Sequence, residues 1–122
     1  MSAELFSTYV LPGDSIEIEE GNYIFTVRLE QDYDTSPNDY DCYERHDIER
    51  WYNNEWFYGG LVVSVTYNDI PLDDHTASLW GIECNFVDGN NDHLNDIALE
   101  LVDEAREQAP QLLEELRSRL AA

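Results

Sequence analysis

Apolar and polar residues alternate with a period of two from Ser15 to Glu20 and again from Tyr23 to Glu30, with Gly21-Asn22 between the runs. The pattern predicts a β-hairpin closed by a two-residue turn. Such a turn sets Glu20 opposite Tyr23, Ile18 opposite Phe25 and Ile16 opposite Val27. The apolar residues then share one face, and Glu17 meets Thr26 on the other.

Residues 31–43 lose the period and carry turn-forming Asp, Ser, Pro and Asn, so they read as a loop. A short helix is expected from Tyr43 to Tyr52, with Ile48, Trp51 and Tyr52 on one side and Glu44, Asp47 and Glu49 elsewhere. Trp56 to Tyr67 predicts a long strand with Leu61, Val63, Val65 and Tyr67 on one face. Asn68 to Asp74, which holds Pro71, is expected to connect it to a return strand, Thr76 to Cys84, running through Leu79, Trp80 and Ile82. Gly59-Gly60 marks a bulge or a close backbone approach in the long strand. The cluster Trp51, Tyr52, Trp56, Phe57 and Tyr58 is expected to be mostly core, where the short helix meets the sheet.

Asp88 to Asp92 is a loop delivering an N-cap to a C-terminal helix. From Leu94 through Ile97, Ala98, Leu101, Val102, Ala105, Ala109, Leu112, Leu113 and Leu116 to Leu120 the apolar spacing is helical. Pro110 falls inside that run without breaking its phase, which favours a kink or a very tight junction over two separate helices. The expected architecture is α+β: a four-stranded, mainly antiparallel sheet of two hairpins, a short helix and a long C-terminal amphipathic helix, in the order ββαββα.

Length and composition support one domain over residues 1–122. The chain is 43% hydrophobic and has 3 Trp, 8 Tyr and 4 Phe, enough for a real core and too many for a disordered acidic tail. Its 27 Asp and Glu face 6 Arg and no Lys, for a formal charge of −21. That balance argues against direct binding to nucleic acid or to an anionic membrane. No basic n-region or long apolar stretch suggests a signal peptide or a membrane span, and the two cysteines, Cys42 and Cys84, make no disulfide framework. A cytoplasmic protein with reduced thiols is expected, with Cys84 in the core.

The acidic residues have two denser segments. Asp32, Asp34, Asp39, Asp41 and Glu44 lie in the loop, interleaved with Tyr33, Tyr40 and Tyr43. Asp92, Asp96, Glu100, Asp103, Glu104 and Glu107 form a row on the helix. Like charges four residues apart stand about 5–6 Å from one another and cost a few tenths of a kcal/mol per pair. A helix needing only solubility would alternate Glu with Lys. These eleven residues are the candidate partner-binding positions. A folded chain of 14.2 kDa exposes about 6,800 Å². The average is then about one charge per 320 Å², against roughly one per 110 Å² for duplex DNA. Imitating a phosphate backbone therefore requires clustering on one surface, or a homodimer that extends a stripe.

Other chemistry finds little footing. Asp32-x-Asp34-x-Ser36 and Asp88-x-Asn90-x-Asp92 begin like calcium loops but lack the required Gly and the closing Glu. Cys42-x₃-His46 is a lone half-site for zinc, and His75 and His93 show no paired spacing. No nucleophile elbow, phosphate loop or zincin motif is present. The reading is a non-enzyme without metal or cofactor.

Asp47 to Val63, with Ala77-Ser-Leu-Trp-Gly-Ile-Glu83 and the acidic helix after it, resembles small uncharacterised proteins of bacteriophages and other mobile elements over about residues 47–107. The resemblance implies a mobile-element origin and brings no activity or site. By charge and size alone the chain more loosely resembles DNA-mimic inhibitors of restriction or CRISPR nucleases. The expectation is an acidic DNA mimic that binds a basic DNA-binding protein or nuclease complex. The competing expectation is a passive acidic accessory or structural protein.

Overall fold

The computed structural model describes residues 5–121; residues 1–4, where part of the leader reading falls, and residue 122 lie outside the described residues. The first hairpin forms as the alternation requires. Strand β1 (Ser15–Glu20) pairs antiparallel with β2 (Tyr23–Gln31), in the register that sets Ile16 on Val27, Ile18 on Phe25 and Glu20 on Tyr23. Gly21 takes a φ of 60° at the first central position, the geometry of a II′ turn that matches strand twist. The following loop holds one 3-10 turn, Pro37–Asp39. Helix α1 then spans Arg45–Tyr52, two residues shorter at its start than the periodicity predicts.

The second hairpin differs from expectation. Strand β3 (Phe57–Tyr67) turns through Asn68 and Asp69 alone, at φ 48° and 66°, into β4 (Ile70–Cys84). The expected seven-residue connection is a two-residue turn of the I′ kind, because Asn and Asp tolerate the left-handed region. Pro71 sits inside β4. The sheet order is β1-β2-β3-β4, which makes β4 an edge strand, where a missing N–H is tolerated.

β4 has 15 residues against 11 in β3, and three register shifts absorb the difference. The extra residues at Trp80-Gly81 oppose Gly60, so the bulge expected in the long strand belongs to its partner. Gly81 has φ 75° there. Gly59 and Gly60 supply close approach instead: a Cβ on Gly60 would stand 2.1 Å from the Trp80 ring. Trp80 and Leu79 are accordingly not core but 43% and 47% exposed.

Helix α2 is one continuous helix, Asp92–Ala121, with Pro110 inside it. Its first amide is capped by Asn90, whose Oδ1 accepts from the Asp92 N–H at 3.1 Å. Leu94, Ala98, Leu101, Val102, Ala105 and Ala109 face one side of the sheet and meet Phe25, Val27, Leu29, Leu61, Val63, Val65, Ile82 and Cys84. The sheet's other face is covered at one end. Trp56 and Tyr58 are buried there, and the Trp56 indole donates to the Asp47 carbonyl of α1 at 2.8 Å. Tyr52, expected beside them, is exposed instead.

The N-terminal segment also closes the core, a role its pattern does not announce. Phe6 and Val10 are buried. Asn95 bonds both backbone groups of Phe6, Asn85 both of Val10, and buried Asn91 donates to the Thr8 carbonyl at 2.7 Å.

Candidate acidic interface

The face of α2 opposite its buried stripe carries the helical row. Asp92, Asp96, Glu100, Asp103, Glu104 and Glu107 are all exposed. At 1.5 Å of rise per residue their backbone positions span about 22 Å. Only Asp103 has a cationic partner among the described residues. Arg106 contacts it and also takes Glu20 of β1 in a two-toothed ion pair, with Nη2 at 2.6 Å and Nε at 2.7 Å. The guanidinium pKa is raised, through its hydrogen bonds to Glu20 and Asp103. This clamp ties α2 to the edge of the sheet.

Five carboxylates therefore remain unneutralised along about 22 Å of rigid helix, roughly one per 4–5 Å. A single nucleic-acid strand carries one charge per about 3.4 Å, and duplex DNA one per about 1.7 Å. Locally the row comes near the density of one strand. The average does not: −21 over 7603 Å² is about one charge per 360 Å². Exposed Glu114 continues the row seven residues beyond Glu107. Its two-turn spacing was a readable signal that a row ended at Glu107 leaves out.

The loop segment is placed and used differently. Asp32 Oδ1 accepts from the Asp34 N–H at 2.9 Å. Its Oδ2 accepts from Thr35 Oγ1 at 2.7 Å and from the Gly81 N–H at 3.0 Å, which pins the loop to the β4 bulge. Asp39 accepts from the Ser36 N–H and closes a capping box. Asp34, Asp41 and Glu44 are exposed. Glu44 lies 3.3 Å from His46, whose other ring nitrogen lies 3.2 Å from Asp47.

Strand alternation fixes which side the loop occupies. Cys84 and Ile82 point into the core beneath α2, and Glu83 between them points to the opposite face. There the Tyr43 hydroxyl donates to the Glu83 carboxylate and accepts from the Tyr58 hydroxyl at 2.8 Å. Burial, and then the bonds to Glu83 and Tyr58, push the Tyr43 pKa strongly upward; burial also raises that of Tyr58. The loop ending at Tyr43 thus sits across the sheet from α2, and the two acidic segments do not form one surface.

Tyr40 and Tyr43 belong to a cluster of tilted and edge-on rings with Tyr58, and Tyr43 also meets Trp56 and Phe86, while Tyr33 stands 84% exposed. Both cysteines are free. Cys42 is exposed and Cys84 buried, with burial pushing the Cys84 thiol pKa up to about 12. Among the described residues no three His, Cys, Asp or Glu side chains converge as a metal site, and no helix is long and apolar enough to cross a membrane. No protein-family model matches the chain, and no curated protein or solved structure is similar to it.

Proposed function

We propose that the protein is an acidic decoy, a non-enzymatic binder that occupies the basic groove of a DNA-binding protein or nuclease complex in place of phosphates. The observation that carries this reading is the row Asp92, Asp96, Glu100, Glu104 and Glu107, without cationic partners among the described residues, on a helix clamped at Arg106. Carboxylates carried on a preformed helix bind without a backbone ordering cost, and their mutual repulsion is relieved when a cationic groove closes over them. The charge steers association and makes it salt-sensitive. Such an inhibitor fits the mobile-element setting that the sequence resemblance implies, with a target in the host cytoplasm.

The decoy surface is the α2 face alone. Asp32 and Asp39 are engaged in holding their own loop, which favours a purely structural role for those two. If every acidic residue served only solubility, the accessory reading would take its place.

Capture from host lysate at low and at moderate salt, with duplex DNA as competitor, separates the two. The expected result is retention of a nucleic-acid-binding protein at low salt, its loss at moderate salt, and its displacement by DNA. Retention of no such protein, or retention that DNA leaves untouched, removes the decoy reading.

A further inference from the structure

Helix α2 outruns the sheet on which it packs. None of its fully buried side chains lies beyond Ala109, yet the helix continues from Pro110 to Ala121, about 18 Å further at 1.5 Å per residue. The apolar stripe continues with it. Leu113, Leu116 and Leu120 follow Ala109 at four-, three- and four-residue intervals, flanked by Leu112. Leu112, Leu113 and Leu116 keep part of their surface in water, and Leu120 is 75% exposed. Beside them Leu72 of β4 lines an open groove with Leu112. Three turns of helix with only partial tertiary cover are marginal in water, and Pro110 removes a hydrogen bond at their root.

Charge selects the cover. Residues 110–122 contain Glu114, Glu115, Arg117 and Arg119 and are formally neutral, so the whole −21 lies in residues 1–109. Glu115 and Arg119 are also spaced four apart in the favourable order. A basic partner is drawn to the carboxylate faces. A second copy meeting the chain there would set carboxylate against carboxylate, but on the C-terminal turns it would not.

We propose that these turns are a self-association surface. A second copy lays the same segment antiparallel, in a two-fold arrangement where each copy presents the same patch. The four-three-four spacing is that of alternating a and d positions. It sets Leu113 of one copy against Leu116 of the other, twice, with Leu120 at each end. This dimer does not rest on the decoy reading.

Sedimentation equilibrium of the full chain tests it. The mass is expected to rise from 14.2 kDa toward twice that value with concentration. Added salt should strengthen association, because it screens −21 against −21. Salt has the opposite effect on a cationic target, so the failure of one proposal is distinguishable from that of the other. Leu116→Glu should hold the chain at 14.2 kDa at every concentration. Leu120→Glu, at a position too exposed to threaten folding, should weaken association about tenfold or more. A wild-type chain that stays monomeric at high concentration and high salt overturns the proposal. So does a dimer that both variants leave intact.

Discussion

Asn85, Asn91 and Asn95 take the place of a neighbouring strand for the N-terminal segment, because side-chain amides offer the donor and acceptor that a peptide group would. Asn91 is buried and bonds Thr8, Asn85 Oδ1 and the Asn85 N–H, so Asn91→Ala strands several of their partners. Urea denaturation should show a loss of about 1–3 kcal/mol. Gly60→Ala pushes a methyl group into the Trp80 ring and should cost about 1–3 kcal/mol by the same measurement, with Trp80 fluorescence altered. Cys84 gives a pH signature. Its folded pKa lies above its unfolded value, so the folded state holds the proton more tightly. The contribution is complete below about pH 9 and is lost as pH rises toward about 12. Alkaline denaturation should therefore be shallower over that window in Cys84→Ala. A thiol reagent should label Cys42 alone until the chain unfolds.

Among the elements, the acidic row sets helix stability against binding. Reversing Asp96 and Glu100 to Lys makes their pairs with Asp92, Asp103 and Glu104 favourable while the pair between the two reversed positions stays repulsive, and should raise helix stability by a few tenths of a kcal/mol for each pair whose sign changes. The same change should weaken target inhibition, as a titration of the target's activity would read. Unchanged inhibition would exonerate the row. Pro110 is an exposed helix-interior proline, so Pro110→Ala should stabilise the chain by about 1–3 kcal/mol in thermal melts. Legibility also varied by element. The register of the first hairpin was readable to the residue, because its turn length and its apolar faces demand the same pairing. The second was not: Asn68-Asp69 makes a tight turn only if Pro71 is tolerated in the strand, and that depends on β4 being an edge.

For the whole molecule, −21 is a cost spread over both faces of the sheet. Screening it should raise unfolding stability as salt is added, an effect that chemical denaturation by urea at several salt concentrations would detect. A chain whose stability ignores salt would mean that its carboxylates are already compensated locally. Among the described residues the α2 row sets five unpaired acids along one rigid element, so association is expected through that face.

By itself the sequence determined that four strands and two helices form, the register of the first hairpin and the helical charge row, because these follow from local periodicity: alternation for a pleated strand, a 3.6-residue stripe for a helix. Tertiary structure alone decided where the bulges fell, since the extra residues of β4 are visible only against β3. It decided that Phe6 and Val10 are core, since the asparagines holding them lie 75 or more residues away along the chain. It also decided that the loop acids lie across the sheet from the helical row. Which face a segment covers depends on the direction of the connection leading to it, and no composition or spacing records that direction.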